Sequence, residues 1–292
     1  MTDGEAIFGN MAHPFRKFFF ALLPKAAMSR ATGRLMACEL KGVSSMCKAL
    51  FVRFCKPDLS EAELPPDAYP TAQALFTRRL RPGARPVADA PLVSPVDARL
   101  RTAGTVEAPD LEMTQVKGVE YTLAQLVGDE RLAESFSGGR WGVFYLAPFN
   151  YHRIHAPCDA ELEEVVHLPG NFWPVNDWSV EAVPGLFAVN ERVVAVLKHP
   201  SGARALMVMV AATNVGQIRL AADPEFASNG APRRAARRWK PEGKTSFARG
   251  EEFGTFMFGS TVVLVLDRAW EGLLPEPPFS ALGQAVRMGQ KI

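Results

Sequence analysis

The sequence predicts an α+β protein in which N-terminal amphipathic helices precede a β-rich body. Three observations carry that expectation. Residues 14–56 mix aromatic and aliphatic side chains with basic ones at helical spacing. From about residue 86 onward, short β-branched or aromatic runs alternate with Gly, Pro, Asn and Asp, and a single helical stretch interrupts them. Strands so closely spaced leave no room for repeated βαβ crossovers, so an α+β or mostly β core, barrel-like or sandwich-like, is expected.

The leader, residues 1–57, sets Phe18, Phe19, Phe20, Leu22, Leu23, Met28, Leu35 and Met36 among Arg16, Lys17, Lys25, Arg30 and Arg34. Such a mixture suits a membrane-associating helix whose apolar side chains sink to the acyl boundary while basic ones meet anionic head groups. An ordinary amphipathic helix docked on its own domain would read the same way. No apolar run reaches the roughly 18–20 residues needed to span a bilayer, and the N-terminus lacks a signal-peptide layout, so neither secretion nor a transmembrane span is expected. Residues 58–85, rich in proline and polar residues, read as a linker with one short helix around Thr71 to Arg78. The β-rich domain spans 86–292. Its helix is "TLAQLVGDERLAESF", with Thr122 as the N-cap. Near its end, "FMFGSTVVLVL" holds a continuous apolar run, Val262 to Leu266, that predicts a strand covered on both faces. Gly259 breaks that pattern, signalling a bulge, a bend or a close approach to the backbone.

Composition narrows the function classes. At 292 residues and 48% hydrophobic content the chain is a packed globular protein. Lys and Arg total 33 against 31 Asp and Glu, and a net charge of +2 gives no argument for nucleic acid. Four cysteines without a CxxC pair argue against disulfide or zinc frameworks and fit a reducing cytoplasm. One basic segment, "APRRAARRWKPEGK", is either solvated loop charge or a contact for anionic lipid or phosphate; it lacks interleaved stacking residues beyond Trp239, which makes nucleic acid the weaker option.

Three clusters could carry chemistry. "FNYHRIHAP" holds His152 and His155, whose flanking aromatics, Ile154 and Pro157, point to extended or turn structure; acid–base, structural and metal roles are all open to them. "VSPVDARL" holds Asp97, either a turn cap or a carboxylate that orients a histidine. "FGST" offers Ser260 as a hydroxyl nucleophile. Together they supply an acid, a base and a hydroxyl in the order Asp, His, Ser, without the G-x-S-x-G elbow of many hydrolases.

With these stretches the chain resembles the pyruvoyl-dependent phosphatidylserine decarboxylases of bacterial type. The likeness also runs through "LFTRRLRPGARPV", "QVKGVEYTLAQLVGD", "VPGLFAVNERVV" and "VMVAATNVGQI", nearly the whole chain. Departures are Ala98 after the aspartate, Phe258 before the glycine, and Ala211, each at a position where the family often has another small or apolar residue. The resemblance implies a helical membrane-binding leader and a catalytic domain distantly like the barrel-sandwich hybrid. It implies self-cleavage between Gly259 and Ser260, with Ser260 becoming a covalent pyruvoyl cofactor, His155 as base and Asp97 orienting it. His152 would reprotonate the decarboxylated carbon. The pyruvoyl carbonyl would form a Schiff base with phosphatidylserine and yield phosphatidylethanolamine. Expected partners are phosphatidylserine and an anionic membrane surface, with the two cleaved chains staying associated and room for a homodimer; no metal and no nucleic acid are expected. The location implied is peripheral, on the cytoplasmic face of the cell membrane. Two other readings stay open: a metallohydrolase using His152 and His155 as ligands, and a non-enzymatic peripheral membrane-binding protein.

Overall fold

The computed structural model describes residues 22–116, 119–213, 217–229, 235–257 and 260–292. The chain begins with α1 (Lys25–Met36), α2 (Lys41–Cys55) and the short α3 (Ala72–Phe76). The body opens with β1 (Ala98–Thr105), β2 (Glu112–Val116) and β3 (Val119–Thr122), then α4 (Leu123–Val127), α5 (Glu130–Glu134), β4 (Arg140–Leu146), β5 (Arg153–His155) and β6 (Ala160–Leu168). Next come α6 (Asp177–Ala182), α7 (Leu186–Val189), β7 (Arg192–Lys198), β8 (Arg204–Val210), β9 (Ile218–Leu220) and β10 (Arg237–Trp239). The last strands are β11 (Ser246–Phe247), β12 (Glu252–Phe256), β13 (Ser260–Leu266) and β14 (Ala285–Val286).

The apolar run 262–266 sits where its composition requires. A nine-stranded antiparallel sheet has the order β10-β6-β7-β8-β13-β4-β1-β14, with β11 also on β6, so β13 lies between β8 and β4. Its side chains alternate. Val262, Leu264 and Leu266 enter one apolar cluster with Met207, Met209 and Phe144, while Val263 and Val265 enter a second with Leu206, Val208 and Val143. All five are fully buried, which is why β13 reads as uninterrupted apolar sequence although antiparallel sheets more often leave one face wet. A second sheet, β5-β12-β9, contributes Ile154, Phe253, Phe256 and Ile218 to the first cluster; the short helices cover the other face through Leu126, Leu132, Leu186 and Phe187. The protein is thus a mixed α and β molecule dominated by one sheet.

The expected helix "TLAQLVGDERLAESF" is two helices. Thr122 caps α4 as predicted, in a capping box with Gln125, but Gly128 adopts φ 72° and Asp129 caps α5. A side chain at Gly128 would also meet the Leu168 Cδ2 methyl at 2.7 Å, but that methyl ends a flexible side chain, so it is the positive φ that calls for glycine at the break.

The N-terminal helices turn polar residues inward: Lys25 and Ser29 of α1, and Ser44 beside Cys47 and Phe51 of α2, are the buried positions. Lys25 lies over the Trp173 ring at 4.4 Å, and Ser44 donates to the Pro70 carbonyl at 2.7 Å. Leu35, Met46, Leu50 and Phe54 are about half exposed. Phe18, Phe19, Phe20, Arg16 and Lys17 lie outside the described residues. Within residues 58–85, Tyr69, Leu75 and Phe76 form a small cluster with Phe51, and Thr71 caps α3. No helix among the described residues is long and apolar enough to cross a membrane.

Candidate active site

The residues 146–155 and 252–260 run past each other in opposite directions. Ser260 is opposite Leu146, the Phe256 N–H donates to the His152 carbonyl at 3.0 Å, and Thr255 and Glu252 are opposite Arg153 and His155. That ribbon carries both predicted histidines alongside the segment leading to Ser260. Between Leu146 and Tyr151 the chain turns tightly, with Asn150 Oδ1 accepting from the Ala147 N–H at 2.8 Å. Gly259 and the Ser260 side chain lie outside the described residues.

His155 is 8% exposed. Its Nδ1 is 2.8 Å from the Gly250 carbonyl, which can only accept, so Nδ1 carries the proton. Nε2 is then a lone pair, and it accepts from the Tyr151 hydroxyl at 3.0 Å. Burial lowers the pKa of this imidazole below its ordinary value, although Gly250 and the Glu252 and Asp97 charges oppose the shift. A neutral, Nδ1–H tautomer with an accepting Nε2 is the form a general base needs.

His152 is fully buried, with Nδ1 donating to the Asn150 carbonyl at 2.9 Å and the ring 4.1 Å from that of Phe76. Its Nε2 is buried without a partner among the described residues. Burial pushes the pKa down to about 3, helped by the positive charge of Arg78.

Asp97 is placed nearby but held by other groups. The His155 N–H donates to the Pro95 carbonyl at 2.9 Å, which brings the two loops together. The Asp97 carboxylate takes Arg85 in a fork, at 2.5 Å from Nη2 and 2.9 Å from Nε, and accepts from the Met288 N–H at 2.8 Å. Arg85 also pairs with Glu61 at 2.7 Å, which Arg287 approaches at 3.3 Å. Asp97 therefore acts on His155 through its charge, while the hydrogen bond that fixes the tautomer comes from Gly250. Of the four side chains expected to work together, the described structure brings Asp97, His152 and His155 into one region with Tyr151 and Arg85 added. Tyr151 stood inside a quoted motif without a role, although its contact with His155 spans only four residues; Arg85 stood in a stretch read as linker and is marked by its contacts with Asp97 and Glu61.

A profile of the family described as phosphatidylserine decarboxylase matches residues 72–292. The chain belongs to that family. The phosphatidylserine decarboxylase family also supplies close curated relatives. The phosphatidylserine decarboxylase proenzyme of Anaeromyxobacter sp. (strain K) is 42% identical over 93% of this chain and 95% of its own. Those of Azoarcus sp. (strain BH72) and Myxococcus xanthus (strain DK1622) are 38% and 37% identical, over 93% and 91% of this chain and 92% and 95% of their own. The protein is accordingly an enzyme of the carboxy-lyase class, as the motifs led one to expect.

The buried imidazole of His152 has a stability consequence with a defined sign. Its folded pKa lies below the unfolded value of 6.5, so the unfolded chain takes up a proton that the folded chain refuses as pH falls. The stabilisation is complete above pH 6.5 and is lost as the pH drops toward the folded value of about 3. Between pH 7 and pH 5 His152 alone should remove about 2 kcal/mol. Urea unfolding of the wild type and His152→Asn at the two pH values checks this: the variant should lose less stability by that amount, and equal losses would refute it.

Proposed function

We propose that this chain is a precursor that cuts itself between Gly259 and Ser260 and then decarboxylates phosphatidylserine to phosphatidylethanolamine with the pyruvoyl group made from Ser260. The observation that carries the reading is His155 in the neutral Nδ1–H tautomer, on a strand paired with the segment leading to Ser260. His155 Nε2 takes the Ser260 hydroxyl proton as Oγ attacks the Gly259 carbonyl carbon; the peptide C–N bond breaks, an ester forms, and the proton passes to the leaving amine. The serine hydroxyl must replace the Tyr151 hydroxyl on Nε2 for this to occur. Loss of the Ser260 α-proton then expels the Gly259 carboxylate, and hydrolysis of the dehydroalanine releases ammonia.

The residues present suit a pyruvoyl group at the start of β13. The orphaned Nε2 of His152 offers a buried proton-carrying position on the neighbouring chain segment. Bound there, a pyruvoyl group supplies a carbonyl that takes the substrate amine and withdraws electrons as carbon dioxide departs. His152 delivers the proton to the substrate carbon. Its low pKa means that it carries that proton only once an anionic head group beside it favours the imidazolium. Asp97 sustains the positive charge that develops on His155.

A lipid substrate gives the half-exposed Leu35, Met46, Leu50 and Phe54 a use, namely peripheral attachment at the cytoplasmic face of the cell membrane. The basic segment contributes less to this than its composition suggests. Arg238 is paired with Glu164 at 2.8 Å and Asp129 at 2.5 Å, Lys244 is paired with Glu251, and Trp239 packs on Phe226 at 5.0 Å. The two cleaved chains would stay associated, because β13 is bonded on both sides and buried on both faces.

Denaturing mass spectrometry of the purified full chain, with assay of carbon dioxide release from phosphatidylserine, tests the reading. Two polypeptides are expected, residues 1–259 and 260–292, the smaller without a free N-terminal amine. A single intact chain with full activity would overturn it.

A further inference from the structure

Arg78 is 3% exposed, yet only two long bonds hold its guanidinium: Nη2 to the Asp58 carbonyl at 3.4 Å and to the Phe149 carbonyl at 3.3 Å. Its Nε and Nη1 are buried without a partner among the described residues. The neighbouring arginines differ in this respect. Arg85 has Asp97 and Glu61, and Arg153 has Glu252. Burying a permanent cation with idle donors is costly; Asp97 and Asp58 act on it through their charge, but no anion among the described residues bonds its idle nitrogens, which leaves them to a ligand.

The position of Arg78 says which anion. Phe76, two residues before it, lies on the His152 ring, and the Thr77 carbonyl accepts from Arg153 Nε at 3.0 Å. The guanidinium is close enough to His152 to bear on its protonation. Phe149, whose carbonyl Arg78 touches, is 46% exposed and lines an open cavity of about 580 Å³ with Tyr145, Ala147 and Asn150. Phe149 thus borders both that cavity and, through its carbonyl, the Arg78 guanidinium.

We propose that Arg78 anchors the lipid head group, its idle Nη1 donating to the phosphodiester of phosphatidylserine. The proposal rests on the decarboxylase reading above. A hydrogen bond from a guanidinium to a phosphate oxygen is charge-assisted and roughly twice as strong as a neutral one. The other anion of the substrate, its carboxylate, is the less suitable partner: it leaves as neutral carbon dioxide, so a cation bound to it would stabilise the ground state more than the transition state. The phosphodiester keeps its charge throughout, and holding it strengthens binding equally before and during reaction.

The test compares wild type, Arg78→Gln and Arg78→Lys in two assays on the purified, self-processed enzyme. Kinetics on phosphatidylserine in mixed micelles should show KM raised about ten- to hundredfold in Arg78→Gln without loss of kcat, since removing the cation favours the His152 imidazolium, and a smaller rise in Arg78→Lys, which keeps the charge. Phosphorus NMR should show glycerophosphoethanolamine, which carries the phosphodiester and no carboxylate, broadened by wild type and not by Arg78→Gln. Equal broadening by both proteins overturns the proposal, whether or not KM rises, because the anion held would then be the carboxylate or none. Loss of kcat with unchanged KM also overturns it, by making Arg78 a structural residue. Wild type that broadens the phosphorus line through Arg78 but releases no carbon dioxide would leave the anion site standing and sink the decarboxylase reading instead.

Discussion

Ser260→Ala is expected to stay a single uncleaved chain and to lose decarboxylation by more than about 10⁴-fold, since the same oxygen serves as nucleophile and as precursor of the reactive carbonyl. The effect is this large because nothing adjacent can substitute. Thr261, the next hydroxyl, is 1% exposed and lies within the ladder opposite Tyr145 and Val210. Removing one oxygen at the head of a strand anchored by Val262 to Leu266 should leave the fold intact, so the urea midpoint serves as the control. Denaturing gels and assay of carbon dioxide release check the result. An active, uncleaved Ser260→Ala protein would sink the mechanism.

His155→Ala should slow self-cleavage by about 10²- to 10⁴-fold, the usual contribution of a general base. The Gly250 carbonyl and the Tyr151 hydroxyl each lose their partner, which costs stability of about 1–3 kcal/mol. Cleavage should nevertheless fail far below the denaturant concentration at which the variant unfolds. The wild-type rate has its own signature. Because burial lowers the His155 pKa, Nε2 stays unprotonated below the ordinary titration range of histidine, and the rate should hold steady as pH falls through 6.5 before declining. A time course of precursor disappearance across pH measures both effects; a rate already halved at pH 6.5, or normal cleavage of His155→Ala, would contradict the assignment.

Much of the fold could be read from local pattern. Val262 to Leu266 announced a strand covered on both faces because neither face of β13 meets water, and Thr122 announced a helix start because capping is a contact three residues long. The break at Gly128 was less visible. A glycine inside a helical pattern is ordinary, and what demands it is the left-handed φ of 72° that the chain takes between the two short helices. The direction of α1 and α2 also escaped pattern reading, since their buried positions include Lys25, Ser29 and Ser44, inverting the usual rule.

The sequence by itself singled out Asp97, His152, His155 and Ser260 as the candidates for the chemistry, and pointed to the family to which the chain belongs. Those are matters of residue type and short spacing. Tertiary structure decided who faces whom. Gly250, ninety-five positions from His155, sets its tautomer; Arg85 and Met288 hold Asp97; and Arg78, from a stretch that read as a connector, lies against the Phe149–His152 turn with Nε and Nη1 unpartnered among the described residues. Periodicity along the chain records only the burial of apolar faces. Partners of buried polar groups are chosen where distant segments meet, so their identity is a property of packing.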